Sequence, residues 1–284
     1  MSKMLFVFNP HTGGGRLKNK LMQILGIFSS AGYEVTVHPT AFSGDARQTV
    51  RERAGQYDIV ACCGGDGTLN EVVDGLSFLQ NPPLLGYIPG GTTNDFASSL
   101  HLPRSDMLAA AERIVNPRKI LACDSGRCND RIFNYVAAFG AFTDVSYETP
   151  QKFKNMLGYF AYLLEAVQKL PNLPHYKLSV TANGKTRSGD FLLGMVTNSS
   201  SVGGLSLFAT DTIQLDDGIF ECVFIRYPAN LLQLGKLSSA LVRHDASSSP
   251  LLLTLRCSSI QIHCQEPIAW TLNTAAVLPI PVLR

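Results

Sequence analysis

The sequence predicts two domains of different classes, an α/β domain followed by an all-β domain. Early in the chain, apolar runs typical of buried strands alternate with amphipathic stretches typical of helices, beginning with Met4 to Phe8 and Leu17 to Ser30. Such alternation indicates a parallel sheet with helices on both faces. Beyond Cys123, most periodic segments are typical of strands, which indicates a mainly antiparallel domain. We place the domains at 1–122 and 123–275, with 276–284 as a C-terminal tail that can return to the first domain.

The elements of the first domain follow one another regularly along the chain. We expect strands at Met4–Phe8, Tyr33–His38, Asp58–Cys63 and Leu84–Ile88. We expect helices at Leu17–Ser30, Asp45–Gln56 and Thr68–Leu79, and a further helical stretch over Asp95–Leu100. Gly32 is well placed to end the first helix, and Ser43 is placed to cap the second.

The elements of the second domain are mainly strands. We expect them at Phe133–Phe139, Tyr176–Ala182, Phe191–Thr197, Ile219–Ile225, Leu251–Cys257 and Ser259–Cys264. Asn183-Gly184 favours a tight hairpin turn between two of these strands. Helices are predicted at Tyr159–Leu170 and Asn230–Leu241.

Composition narrows the class of protein. The 284 residues are 45% hydrophobic and 16% charged, a globular balance, and the net charge of +2 gives no electrostatic basis for nucleic-acid binding. The seven cysteines include no Cys-x-x-Cys pair, so we expect buried free thiols in a reducing cytosol and no zinc. No apolar stretch is long enough to cross a bilayer. We therefore expect a cytoplasmic protein without a transmembrane segment, in which any membrane contact is peripheral.

The clearest chemical signal is the loop from Gly64 to Glu71, where an apolar strand runs into three glycines and then a helix. Glycines let a backbone approach phosphate closely, and a helix N-terminus favours an anion. An aspartate is costly there unless it serves a metal or a hydroxyl, so Asp66 is a candidate to hold Mg²⁺ or to orient the nucleophile. The alternative is a tight turn capped by Asp66, which does not need so many glycines.

Two further loops follow other predicted strands of the first domain. Pro89 to Ala97 combines glycines and hydroxyls with a cap at Asn94 or Asp95, and Asn9-Pro10 precedes three consecutive glycines. Each motif is weak in isolation, but loops at neighbouring strand ends converge where open α/β sheets bind ligands. Neither a Walker loop nor a dinucleotide fingerprint is present.

Several motifs, together with their order along the chain, resemble the pattern of a known family, and the resemblance covers nearly the whole chain. They are Asn9-Pro10 with its glycines, Thr40 before Ser43–Ala46, Gly64–Glu71, Gly91–Ala97, Asn134–Gly140, Gly203-Gly204, Asp216–Gly218 and Trp270–Leu272. Together they resemble the catalytic superfamily of diacylglycerol kinases, in particular its bacterial soluble lipid kinases. The glycine-rich loop alone is shared with NAD kinases and phosphofructokinases.

The resemblance implies an α/β nucleotide-binding domain, a β-sandwich domain and an active site with ATP in the cleft between them. The nucleotide contacts that it implies are Asn9, Thr40, Gly64, Gly65, Asp66, Gly67, Thr68, Leu69, Asn70, Glu71 and Thr92. It also implies a Mg²⁺ site formed by the Asp217 carboxylate, with Asp216 as a further candidate, and by the carbonyls of Gln214 and Ile219. Without the resemblance, Asp216-Asp217-Gly218 favours a hairpin turn. The partner is a lipid substrate presented at a membrane surface, and a homodimer is compatible with the resemblance.

The chain departs from the family pattern near its end. Family members continue Trp-x-Leu into Asp-Gly-Glu, whose glutamate is the implied base, whereas Trp270-Thr271-Leu272 here continues into Asn273-Thr274-Ala275. Asn273 cannot accept a proton at neutral pH and Ala275 has no functional group. Three interpretations stay open: a weak or inactive kinase, a kinase with a substitute base, or an altered C-terminus. The alternatives to a lipid kinase are a catalytically impaired nucleotide-binding protein and a soluble-substrate kinase similar to NAD kinases.

Overall fold

The computed structural model describes residues 1–91, 94–140, 175–199, 214–243, 249–272 and 275–283, with only the backbone at 231, 238, 241, 242 and 275–283. The chain divides into two compact units, Met1–Ala122 and Cys123–Arg284. The first unit is α/β and the second is mainly antiparallel β, as the sequence predicts.

The first unit has a four-stranded parallel sheet in the order β2-β1-β3-β4. Its strands are β1 (Ser2–Phe8), β2 (Tyr33–Pro39), β3 (Ile59–Gly64) and β4 (Leu84–Pro89). Its α-helices are α1 (Arg16–Ser30), α2 (Asp45–Arg53), α3 (Asp66–Leu76), α4 (Asp95–Ser99) and α5 (Met107–Val115), with 3-10 turns at Thr12–Gly15 and Ala54–Gln56.

Burial explains why the apolar run of β1 forms a central strand. Met4, Leu5, Phe6 and Val7 are all fully buried, so both faces of the strand are covered. On one face the Phe28 ring of α1 packs edge-on against Phe6, with 5.4 Å between ring centroids. Helix α1 thus covers β1 with the helically spaced apolar side chains that the sequence predicts.

Two predicted helix signals have different outcomes. Gly32 follows α1 with a φ of 89°, so its predicted role in ending that helix is confirmed. Ser43 is not the cap of α2, which begins after Gly44 with a φ of 91° and without a side-chain cap. The left-handed conformation of Gly44 sets the turn into the helix, and this geometry suits glycine and not a capping serine.

The second unit consists of a seven-stranded antiparallel sheet, a two-stranded ribbon and one helix among the described residues. Its strands are β5 (Gly126–Cys128), β6 (Arg131–Phe133), β7 (Val136–Gly140), β8 (Tyr176–Ala182), β9 (Lys185–Thr197), β10 (Phe220–Arg226), β11 (Leu252–Cys257), β12 (Ile260–Leu272) and β13 (Ala275–Leu283). Its helix is α6 (Leu231–Val242). The predicted helix at Tyr159–Leu170 lies outside the described residues.

Strands β7 and β8 lie end to end in a single row between β9 and β12. Gly140 at the end of β7 pairs with Leu193 of β9, while Tyr176 at the start of β8 pairs with Phe191 of the same strand. On the other side, β12 pairs first with β8 and then with β7. This row explains why β9 and β12 are longer than predicted, because each needs enough residues to pair with two strands.

The hairpin between β8 and β9 is confirmed where the sequence predicts it. Asn183 and Gly184 connect the two strands, and both have positive φ, at 51° and 71°. These are the conformations of a type I′ turn, which matches the twist of the flanking strands. The register that the turn sets, Ala182 opposite Lys185, continues along the whole of β8.

The C-terminal segment differs from the expectation that 276–284 can return to the first domain. Ala275–Leu283 forms β13, which pairs with β12 in the second unit, where Leu272 lies opposite Ala275. On β12, Trp270 is 2% exposed and its ring centroid lies 4.8 Å from that of Phe139. The antiparallel pairing of β12 therefore continues into the tail next to a packed aromatic core.

Candidate functional site

Three loops of the first unit meet at the carboxyl edge of its sheet. The amide of Asn9, just after β1, donates to the Cys63 carbonyl of β3 at 3.1 Å. The amide of Gly90, just after β4, donates to the Gly64 carbonyl at 2.8 Å. The structure thus joins the three loops that the sequence singles out, at the strand ends where open α/β sheets bind ligands.

The glycines of these loops have two different roles. A Cβ on Gly91 would lie 2.6 Å from the Cα of Gly65, and one on Gly64 would lie 2.5 Å from the Cβ of Thr68. Gly91 is required because its backbone packs directly on that of Gly65, and Gly64 is required because the Thr68 side chain fills the space of a Cβ. Gly67 differs, since a Cβ there would meet no described atom beyond its own turn of helix within 4 Å. The start of α3 therefore has open space at Gly67, as a bound anion would require.

The Asp66 side chain connects two of the loops. It is 4% exposed, and its Oδ2 accepts the amide hydrogen of Asp95 at 3.1 Å while Oδ1 accepts that of Phe96 at 3.2 Å. These amides belong to the first turn of α4, whose N–H groups have no intrahelical acceptor. Asp66 at the start of α3 therefore caps the helix that follows the neighbouring strand.

Asn94 does not cap α4 with its side chain, although the sequence offers it as a cap. It occupies the N-cap position with a φ of 50°, and its Oδ1 accepts the Gly91 amide at 2.8 Å while Nδ2 donates to the Gly91 carbonyl at 3.0 Å. The side chain is used to close the loop before the helix. The other candidate cap, Asp95, forms the first residue of α4 instead.

Tyr87 is a contributor that the sequence analysis misses. It lies in β4 at 5% exposure, and its hydroxyl donates to the Gly64 carbonyl at 3.2 Å, with Oδ1 of Asn94 3.5 Å away. Burial, together with the negative charge of Asp66, raises the pKa of Tyr87 far above its ordinary value, so the phenol stays a neutral donor. In the sequence, the only indication of this role is that the side chain of a buried strand residue ends in a hydroxyl, and nothing there identifies the acceptor.

Thr40 begins the loop between β2 and α2 at the same edge of the sheet, and Glu71 of α3 contacts that loop. The Thr40 amide donates to the Phe8 carbonyl at 2.8 Å, which places the end of β2 beside the end of β1. The Glu71 Oε1 accepts the Gly44 amide at 2.8 Å, so α3 holds the loop that precedes α2. Two further predicted contacts, Thr40 and Glu71, are thereby linked to the glycine loops through β1 and α3.

The remaining predicted contacts differ in their accessibility. Leu69 is 2% exposed and packs in the core, so its side chain is not presented at the loops. Asn70 is 6% exposed, and its Oδ1 has no hydrogen-bond partner within the described part of the chain. The carbonyl oxygen of Asn70 is therefore a buried acceptor that a donor could satisfy. Thr92 lies outside the described residues.

The predicted metal segment forms a turn that leads into β10. Gly218 has a φ of 71°, and the Asp217 Oδ1 accepts the Ile219 amide at 2.9 Å. The Asp124 Oδ2 accepts the Gly218 amide at 2.6 Å. Gln214 is exposed at the start of the segment. No group of three or more His, Cys, Asp or Glu side chains is arranged to hold a metal within the described ranges.

Arg256 is a second residue that the sequence analysis misses. Its Nη2 lies 3.3 Å from Oδ2 of Asp217, and its Nε donates to Oε1 of Glu221 at 3.1 Å. Glu221 is fully buried, and this burial raises the pKa of its carboxyl while the Arg256 charge opposes the shift. Arg256 thus partly neutralises the carboxylates beside the predicted metal segment.

The segment that replaces the family's Asp-Gly-Glu is only partly described. Asn273 and Thr274 lie outside the described residues, and Ala275 is described by its backbone as the first residue of β13. An alanine side chain carries no acid or base at this position.

Comparisons with known proteins agree with the motifs. The family described as "Diacylglycerol kinase catalytic domain" matches residues 3–128. The diacylglycerol kinase of Bacillus subtilis strain 168 is 36% identical over 276 residues, which cover 96% of this chain and 89% of that protein. The diacylglycerol kinase of Staphylococcus haemolyticus strain JCSC1435 is 36% identical over 257 residues, covering 90% of this chain and 77% of that protein.

Solved structures extend the likeness to the whole fold. A crystal structure of a presumed diacylglycerol kinase from Bacillus anthracis strain Sterne has a TM-score of 0.82 at 25% identity, covering 99% of this chain and 91% of that one. None of the helices in the described part of the chain is long and apolar enough to span a bilayer. From the shared motifs, the sequence identity and the fold, the chain belongs to the diacylglycerol kinase family and is a lipid kinase.

Proposed function

We propose that the protein transfers the γ-phosphate of ATP to the hydroxyl of a diacylglycerol or a related lipid, with the help of Mg²⁺. The observation that carries the proposal is the meeting of the three loops around the N-terminus of α3. The substrate class follows from the relatives, which are named diacylglycerol kinases. Cytoplasmic location, peripheral membrane contact and a homodimer stay predictions.

The shape and charge of the first-unit site support ATP. Gly65 and Gly91 allow their backbones to approach one another closely, Gly64 makes room for the Thr68 side chain, and Gly67 leaves space at the N-terminus of a helix of eleven residues. A helix N-terminus presents amide hydrogens and a partial positive charge, which suit a phosphate group. We therefore propose the β- and γ-phosphates at the Gly65–Thr68 turn, with Thr40 and Glu71 beside the rest of the nucleotide.

The role of Asp66 in catalysis stays a prediction. Its carboxylate holds the first turn of α4 through Asp95 and Phe96, which supports a role in fixing the geometry of the two loops. In phosphoryl transfer, positioning and electrostatics supply most of the rate enhancement. Loss of the Asp66 carboxylate would therefore disturb the site even if the side chain never contacts the metal.

For the Mg²⁺ site we keep the proposed ligands Gln214, Asp217 and Ile219. Carboxylate and carbonyl oxygens are the donors that Mg²⁺ prefers, and the Asp124 carboxylate lies at the same turn through its bond to Gly218. The donor set fits the ion in its chemistry, while the Arg256 charge near Asp217 lowers the attraction for a cation. When bound, Mg²⁺ would stabilise the turn before β10.

We further propose that lipid phosphorylation by this chain is slow. The described backbone of β13 begins with Ala275, whose methyl group cannot take the proton of the attacking hydroxyl. The second candidate function, nucleotide binding with impaired catalysis, is favoured by this same residue.

One assay tests the proposal against its alternatives. The purified protein is incubated with γ-labelled ATP, Mg²⁺, a total lipid extract and NAD, and the products are separated into lipid and soluble pools. Label in lipid supports the lipid kinase, and label in NAD would support a soluble-substrate kinase instead. Binding of ATP without label in either pool would support the impaired nucleotide-binding protein.

A further inference from the structure

The loop between β2 and α2 is fixed on both sides. At its start, the Thr40 amide donates to the Phe8 carbonyl at 2.8 Å. At its end, the Gly44 amide donates to the Glu71 carboxylate at 2.8 Å. The loop therefore has one anchor on the central strand and another on the helix that begins at the glycine-rich turn.

A network around Asp45 fixes the middle of the same loop. The Asp45 Oδ2 accepts the Ala41 amide at 2.7 Å, and its Oδ1 lies 3.1 Å from Nε2 of His38 and 3.2 Å from the hydroxyl of Thr49. The Asp45 amide in turn donates to the Phe42 carbonyl at 3.3 Å. The backbone that carries Phe42 is thus hydrogen-bonded before, at and after this residue.

On this fixed loop, Phe42 presents its ring to solvent. The residue is 63% exposed and makes no ring or cation contact with other described residues. Phe78, another exposed phenylalanine of the first unit, is instead covered by the Arg51 guanidinium 4.2 Å above its ring. A single exposed apolar side chain is ordinary on a protein surface. Phe42 is distinguished by its position: it lies two residues after Thr40, in the loop whose Gly44 amide donates to Glu71.

We propose that the Phe42 ring packs against the nucleobase of bound ATP. This inference rests on the proposed function, which places the nucleotide beside Thr40 and Glu71. An aromatic ring held on an ordered loop can stack on a base with little loss of conformational freedom, and stacking tolerates any base because each has a π-face. Phe42 thereby contributes affinity for the base, while the glycine loops bind the phosphates.

The test separates the base from the phosphates by using two ligands. Calorimetry measures the binding of ATP and of inorganic tripolyphosphate, each with Mg²⁺, to the full-length protein and its variants. We expect Phe42→Ala to weaken ATP binding roughly tenfold to a hundredfold, by the usual contribution of a stacked base, and to leave tripolyphosphate binding unchanged. Phe42→Tyr, which keeps the aromatic face, should bind ATP as the unchanged protein does.

Phe78→Ala is the matched control, because it removes an exposed ring of the same unit away from the loop. Unchanged ATP affinity in Phe42→Ala, or equal losses for ATP and tripolyphosphate, would overturn the inference while leaving the proposed function in place. If the unchanged protein binds neither ligand, the proposed function itself fails and the inference fails with it.

Discussion

The Asp66 carboxylate lies 3.1 Å from the backbone nitrogen of Asp95 and accepts its hydrogen, so α3 supplies the cap of α4. Two helices that follow neighbouring strands are thereby fixed to each other at the carboxyl edge of the sheet. A capping carboxylate usually belongs to the residue just before its own helix, as Asp106 does for α5. The cap of α4 depends instead on a residue distant in sequence, and this dependence has testable consequences.

Replacing Asp66 by asparagine should affect both stability and phosphoryl transfer. The variant keeps one acceptor oxygen but loses the charge and the second acceptor, which should cost about 1–3 kcal/mol in the free energy of unfolding measured with urea. Phosphoryl transfer should fall more than stability accounts for, because the loops lose their alignment. Asp106→Asn is the matched control: it removes the charge of another helix-capping carboxylate, keeps an acceptor oxygen for the Leu108 and Ala109 amides, and should leave transfer unchanged. Equal transfer by both variants would contradict the role of Asp66 in the site.

Gly67→Ala should separate ligand binding from stability. Among the described residues beyond its own turn of helix, the added Cβ meets no atom within 4 Å, so the helix should be stabilised by about 0.5–1 kcal/mol, as is usual for this exchange within helices. ATP affinity, measured by calorimetry, should nevertheless fall because the methyl group occupies the space proposed for phosphate. Gly26→Ala in α1 also places a Cβ in open space and should gain similar stability without loss of ATP affinity. ATP binding that survives Gly67→Ala and also Gly67→Val would argue against the phosphate position.

The Asp45 network predicts a dependence of stability on pH. Burial raises the pKa of the Asp45 carboxyl, but the hydrogen bonds from the Ala41 amide and His38 outweigh it, so the pKa is lowered overall. A carboxyl with a lowered folded pKa stabilises the fold above its unfolded value of about 3.9 and loses this contribution as pH falls through the folded value. The stability difference between the unchanged protein and Asp45→Asn should thus be largest near neutral pH and shrink below about pH 4. A difference that stays constant from neutral to acid pH would refute the assignment.

Mg²⁺ should stabilise the turn before β10 through Asp217. Thermal unfolding in Mg²⁺ should show a higher Tm than in EDTA, since an ion that binds only the folded chain at a hundredfold excess over its Kd adds about 2.7 kcal/mol. Asp217→Asn should lose this response. Arg256→Gln, which removes the ion-pair partner and keeps the carboxylate, should retain it. If EDTA leaves the Tm of the unchanged protein where it was, the turn is held by hydrogen bonds and by Arg256 alone.

Restoring the family's Asp-Gly-Glu should accelerate lipid phosphorylation. The triple variant Asn273→Asp, Thr274→Gly, Ala275→Glu supplies a base that typically contributes ~10² to 10⁴ in rate. Its ATP affinity should not change. A control with Ala275→Gln in place of Ala275→Glu has similar shape without a proton acceptor and should stay slow. The prediction fails if the unchanged chain already turns over at roughly 1 to 100 per second, as ordinary kinases do, because a substitute base would then be at work.

Strands, helices and turns were predictable where a few adjacent residues determine their conformation. The buried run of β1, the helical spacing in α1 and the left-handed Gly32 are each read from a few adjacent residues, and the structure has all three. The turn at Asn183-Gly184 belongs to the same class, because its conformation follows from the preference of these two residues for positive φ.

What the sequence could not provide are contacts between distant residues. Ser43 is a residue type that often caps helices, but the amide of the next residue, Gly44, donates instead to the Glu71 carboxylate of α3. Likewise, nothing near Tyr87 in the sequence indicates that its hydroxyl supports Gly64, and nothing near Arg256 indicates Glu221. Such hydrogen-bond partners are determined by how helices and strands pack together, and a short stretch of sequence does not contain that information.

The row shared by β7 and β8 has a consequence for how this fold tolerates change. The chain leaves the row at Gly140 and re-enters it at Tyr176, and both residues pair with β9 only two positions apart. Because the exit and the entry lie so close together, the sheet sets no required length for the segment between them, and the entropy of closing a longer loop grows only slowly. A change in the number of residues between Gly140 and Tyr176 would therefore leave the register of β7 and β8 on β9 unchanged.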